Sequence, residues 1–125
     1  MKPNPLLNRL LGLGVATILV SSSALAQEKV DFAKQIQPIL KESCVKCHGT
    51  EKKKGKLRLD NKADALKGGD TGPAWVAGNS AKSLLIERLE TKNEDDRMPQ
   101  KADPLPADKI KLFKAWIDQG AVWPD

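Results

Sequence analysis

Cys44-Val45-Lys46-Cys47-His48 is a C-x-x-C-H pentapeptide, the attachment signature for c-type haem. Its spacing follows from the chemistry. Two cysteines three positions apart lie about one helical turn from each other, so both thiols can add to the two vinyl groups along one edge of a porphyrin. The next residue, His48, is then brought beneath the ring, where an imidazole nitrogen ligates the iron. One covalently attached haem c is the cofactor this pattern calls for.

Two other chemistries use the same residue types. A disulfide or redox dithiol would suit an exported protein, but the chain lacks the alternation of strands and helices that a thioredoxin-like fold requires. A zinc site usually wants four ligands, and Cys44, Cys47 and His48 are the only cysteines and histidine in the chain, so carboxylates would have to complete it.

The sixth iron position narrows by elimination. With one histidine in the sequence, bis-histidine ligation within one chain is impossible. Met98 stands fifty residues after His48 and is followed by Pro99, which stiffens the backbone beside it. It is the only methionine beyond the N-terminal segment described next and is the expected distal ligand; a vacant, water-bound or lysine-bound iron is the alternative.

Residues 1–26 read as a cleavable secretory signal: Lys2 and Arg9 give the positive start, Leu10 to Val20 the apolar stretch, and Ala24-Leu25-Ala26 the small-residue cleavage site. The apolar run is about half the ~20 residues that a membrane-spanning helix needs. The expected mature chain, 27–125, has 99 residues, room for one small domain. It is expected to be periplasmic, with no stable membrane insertion after cleavage. Cleavage removes two of the 21 basic residues and none of the 16 acidic ones, leaving 19 against 16, a net charge of +3. Nucleic-acid binders usually carry a dense basic face, so no nucleic-acid partner is expected.

Working outward from the pentapeptide, Asp31 is placed to cap a helix that starts at Phe32, buries Phe32, Ile36, Ile39 and Leu40, and bends or restarts at Pro38 before delivering the chain into Cys44. Gly49 to Gly78 has turn and loop chemistry, with only Asn61 to Leu66 suited to a short helix. Asn79 or Ser80 caps a helix running to about Glu90, with Leu84, Leu85 and Leu89 on its apolar side. A charged loop, Lys92 to Arg97, leads to Met98-Pro99. The last helix runs from about Ala107 to Gln119, carries Ile110, Phe113, Trp116 and Ile117 at helical spacing, and is closed by Gly120. Trp123-Pro124 reads as a hydrophobic latch. No strand pattern of useful length and no internal repeat is found. With four irregular loops in so short a chain, the cofactor is expected to supply much of the core.

These pieces together resemble the planctomycete-type cytochrome c domain, a variant of the class I cytochromes c. The resemblance rests on Phe32, Ile36, Pro38, Ile39 and Leu40; Cys44 through Gly49; Gly55 through Asp60; Gly68-Gly69; Gly78; Ser83-Leu84-Leu85; Met98-Pro99; and Trp116-Ile117 with Gly120-Ala121. The family often shows two prolines after the distal methionine, whereas here Pro99 is followed by Gln100. The resemblance implies an all-α fold, a small cytochrome c-like helical globule with long loops, in which the first and last helices cross and the single haem is the core's centre. It also implies that Arg58 and Trp75 donate hydrogen bonds to haem propionates, a role often given to Arg and Trp in class I cytochromes; an exposed Arg and a packed Trp are the plain alternative.

Histidine and methionine together saturate the iron and raise its potential. The expected function is therefore a non-enzymatic, monomeric carrier of single electrons between redox proteins that serve as donor and acceptor. The run Lys52-Lys53-Lys54 with Lys56 is a candidate basic rim for an acidic partner, or else a solvated loop. The alternative function is a haem-based sensor or small-ligand binding module with an open or displaceable sixth position.

Overall fold

The computed structural model describes residues 27–125; the signal-peptide reading of residues 1–26 lies outside them. The chain enters its first helical stretch as the sequence leads one to expect. The Asp31 carboxylate accepts a hydrogen bond from the Lys34 N–H (3.0 Å), and the Gln35 side chain reaches back to accept from the Asp31 N–H (2.7 Å). Both satisfy N–H groups that the start of a helix leaves without partners.

Phe32–Ile36 wind as a wide π-helical turn and α1 (Gln37–Ser43) follows directly. The fresh start expected at Pro38 thus falls one residue earlier, with Pro38 in the first turn, where its missing N–H costs no helical hydrogen bond. Phe32, Ile36, Ile39 and Leu40 are all buried.

α2 (Lys62–Lys67) is capped by Asn61, whose side chain accepts from the Asp64 N–H (2.9 Å), and ends at Gly68. Gly68 has φ +71°, and a Cβ there would stand 2.4 Å from the Gly72 carbonyl oxygen, so only glycine suits this turn.

The single helix expected over Asn79–Glu90 is in fact two pieces. Asn79 caps a short 3₁₀ turn, Ser80–Lys82, and α3 spans Leu84–Glu90. Between them Ser83 is extended, and its buried hydroxyl donates to the Asn79 carbonyl (2.8 Å) while accepting from the Val76 N–H (2.9 Å). A serine hydroxyl that bonds to nearby backbone competes with helix continuation. The break alters which residues face inward: Ile86 and Leu89 are buried, whereas Leu84 and Leu85 are only half-buried.

α4 (Ala107–Asp118) buries Phe113, Ala115, Trp116 and Ile117, with Ile110 half-buried. Past it, Gly120 at φ +106° turns the chain back, and the Gly120 and Ala121 N–H groups donate to the Ile117 and Trp116 carbonyls (2.9 and 2.8 Å). α4 packs against the Phe32–Ile36 turn, against α3 and against Ser80–Lys82. Ser80 is pinned to its end, donating through both N–H and Oγ to the Asp118 carboxylate (2.7 and 2.9 Å). The N-terminal segment is held similarly, since the Gln119 side chain accepts from the Val30 N–H (2.8 Å) and donates to the Glu28 carbonyl (3.1 Å).

All three tryptophans and both phenylalanines of the chain meet in one cluster. Phe32 lies 4.4 Å from Trp123 and 5.7 Å from Trp116, and Trp75 lies 5.1 Å from Trp116, between ring centroids. Trp123 is thus the latch that the sequence led one to expect. The described residues contain three isolated bridges and no strand, and the fold is all-α.

Candidate functional site

α1 does not stop cleanly at Ser43 but runs on as turns through the pentapeptide. The Cys44 and Val45 N–H groups donate to the Leu40 carbonyl (3.0 and 2.9 Å), and the Cys47 and His48 N–H groups donate to the Cys44 carbonyl (3.2 and 2.9 Å). Cys44, Cys47 and His48 therefore sit on consecutive turns at the end of one helix, the near-helical spacing that attachment to a single porphyrin edge requires. The chain then reverses: Gly49 N–H donates to the Lys52 carbonyl (2.7 Å) and Lys54 N–H to the Cys47 carbonyl (3.0 Å). A Cβ on Gly49 would approach the Val45 carbonyl oxygen to 2.4 Å, so a glycine here lets the attachment turn close.

The donor set fits a covalent haem. Cys44 and Cys47 are both free thiols and half-buried. Burial, followed by the neighbouring Cys47, pushes the Cys44 thiol up to about 11, so at neutral pH it is the uncharged thiol. His48 Nδ1 is buried without a hydrogen-bond partner, alone in this among the side chains of the described residues. An orphaned buried polar atom is uncommon in a folded protein, and an imidazole that the polypeptide leaves without a partner is compatible with a group beyond it.

Met98 is half-buried and packs against the same hydrophobic core as Cys44. Cys44, Leu57, Leu85 and Met98 are half-buried residues packed against the one hydrophobic core, so apolar surface remains partly uncovered on both the attachment turn and the methionine loop. The Met98–Pro99 peptide is cis.

The other two expected contributors are positioned differently. Leu59 N–H donates to the His48 carbonyl (2.8 Å), which places Arg58 next to the attachment turn in the backbone. Its guanidinium nevertheless faces two carboxylates, with Nε and Nη2 on Asp60 (2.9 and 2.6 Å) and Nη1 on Asp64 (3.0 Å). Two of its five N–H groups remain for another acceptor. Trp75 is a member of the aromatic cluster, the packed position that was the plain alternative for it. Asp60, Asn61 and Asp64, which set Arg58's direction, were not expected as site neighbours; the Asn61-x-x-Asp64 cap spacing was the available signal.

The Arg58 hydrogen bond holds the Asp60 carboxyl below the usual carboxylate range, and Asn61 with Lys67, then Arg58, do the same for Asp64. The folded state therefore binds these protons less readily than the unfolded chain. The resulting stabilisation is complete above the unfolded carboxylate value of about 4 and is lost as pH falls through the lowered folded values. An Arg58→Gln variant is expected to melt below the parent at pH 7, with the gap closing under about pH 4. Circular dichroism melts across that range check this, and a pH-independent gap would assign Arg58 to packing alone.

An all-α globule that ends its first helix in a free C-x-x-C-H turn, and returns a half-buried methionine to the same core, defines the class of small haem-binding c-type cytochromes. Residues 44–101, a little under half of the chain, match the family described as Planctomycete cytochrome C. No curated protein and no solved structure matches the chain. Among the described residues no helix is long and apolar enough to cross a membrane.

Proposed function

We propose that the protein is a periplasmic one-electron carrier with a single haem c attached through Cys44 and Cys47 and ligated by His48 and Met98. The observation that carries this reading is the donor inventory: one histidine, on the attachment turn, and one methionine among the described residues, on a loop that packs against the same core as Cys44. When bound, the haem supplies a ferrous–ferric couple. His48 and Met98 would both ligate the iron, and that donor pair would leave no open site for a substrate. No distal histidine is present to serve acid–base chemistry.

The partners are then separate redox proteins. Lys52, Lys53, Lys54 and Lys56 are all exposed on the loop that folds back on the attachment turn, a basic rim suited to an acidic face on a donor or acceptor. Such complementarity acts chiefly on the rate of association.

Optical spectra of the haem-loaded protein test the ligand set. The ferric wild type is expected to show the weak red band of iron bound to thioether sulfur, and Met98→Ala to lose it together with a fall in reduction potential. High-spin ferric iron that binds added ligands in the wild type would replace this reading with that of a sensor or small-ligand binding module.

A further inference from the structure

We infer that Arg88 and Asp96 form a latch that positions the Met98 loop; the inference rests on the reading of Met98 as iron ligand. Arg88 lies in the last turn of α3, where carbonyl groups have no partner within the helix. Its carbonyl accepts the Met98 N–H at 2.8 Å. Its side chain acts on the same loop two residues earlier, Nη1 donating to Asp96 Oδ1 at 2.9 Å. The second Asp96 oxygen accepts from Asn93 Nδ2 (2.7 Å), and the Asn93 carbonyl in turn accepts the Asp96 and Arg97 N–H groups (3.1 and 2.9 Å). The Asp96 carboxylate thus joins the helix end to the turn that precedes the methionine.

Nothing else polar does this. Among the described residues, the hydrogen bonds and ion pairs that tie residues 92–104 to the rest of the protein end on Arg88, apart from the Asn93 N–H, which donates to Thr91 Oγ1 just before the loop (3.2 Å); the pairs Arg97–Glu94 and Gln100–Asp95 stay within the loop. Residues 92–96 and 100–104 are exposed, and the next buried anchor is Leu105. A ligand on so lightly tied a loop is held by few contacts, and each bears directly on how much of the time the thioether is in place. Arg88 and Asp96 are positioning residues: they act on Met98 and touch no cofactor in this role.

The test uses the haem-loaded protein with Asp96→Asn, Arg88→Gln, the conservative Asp96→Glu, and Glu94→Gln as a control in the same loop. Asp96→Asn and Arg88→Gln are expected to weaken the red band and to bind imidazole about two- to fivefold more tightly, the range for one partly exposed ion pair. Asp96→Glu is expected to restore most of the wild-type behaviour, and Glu94→Gln to change neither readout. Hydrogen exchange of the Met98 amide, bonded to the Arg88 carbonyl, reads the latch without reference to iron and is expected to quicken by a similar factor. Faster exchange in a protein whose wild type lacks the red band would keep the latch and remove Met98 as ligand. Unchanged band, imidazole affinity and exchange in both latch variants would overturn the inference.

Discussion

A Cys44→Ala, Cys47→Ala double variant, produced together with the haem-attachment machinery, is expected to show no haem stain on a denaturing gel and no wild-type-like cooperative melt. The substitutions themselves are mild. Cys44 is an uncharged thiol at neutral pH, and a free cysteine behaves as a small hydrophobe, so alanine removes little besides the bond to the cofactor. What is lost is a large apolar group that would stay on the chain when it unfolds but be packed against apolar side chains only in the native state. The buried aromatic cluster gathers around α4 and Phe32, whereas the loops 49–61 and 91–106 each contain a single buried large apolar side chain, Leu59 and Leu105. These loops are therefore expected to lose the most order when no haem is attached. Loss of the cooperative transition, or a midpoint lowered by roughly 15 °C or more, is the expected outcome. A melt within a few degrees of the loaded wild type would mean that the polypeptide core suffices alone.

Trp116→Ala is expected to have the largest effect of any single core substitution. Trp116 is 2% exposed and its ring meets Phe32, Trp75 and Phe113 at centroid distances of 5.7, 5.1 and 6.5 Å. Its indole N–H donates to the Val122 carbonyl (2.9 Å), tying α4 to the tail that carries Trp123. Truncation of a buried tryptophan to alanine costs about 3–5 kcal/mol, a large share of the 5–15 kcal/mol typical of a whole domain. The melting midpoint should fall by roughly 12 °C or more. Trp116→Phe, which keeps an aromatic ring and loses the hydrogen bond, should recover over half of that loss. Urea titration of both variants checks the ordering, and equal losses would place the weight on the Val122 hydrogen bond instead of on packing.

Much of the site was legible in the sequence because its chemistry is local. The spacing of Cys44, Cys47 and His48 is set by one helical turn, and α1 does run into that turn through the Leu40 carbonyl. Elimination among one histidine and two methionines needs no coordinates. The caps at Asp31, Asn61 and Asn79 act on N–H groups two or three residues away, and each caps as its residue type implied. Helical periodicity likewise marked Phe32, Ile36, Phe113, Trp116 and Ile117 as core.

Where a side chain chooses between competing partners, the sequence alone was silent. Ser83 lies within a plausible helical pattern, but its hydroxyl bonds to Asn79 and Val76 and ends one helical piece before the next begins. Arg58 has several candidate acceptors in sequence, and the fold turns it to Asp60 and Asp64. Arg88 and Asp96 are two charges among many in a polar stretch until the loop's return brings them to 2.9 Å. The sequence by itself determined the attachment motif, the caps at Asp31, Asn61 and Asn79 and the apolar faces of the first and last helices, since each depends on neighbours within a turn or two. Only the tertiary structure decided which polar groups pair and where the half-buried surface is left, because those outcomes depend on which distant segments packing brings within hydrogen-bond reach.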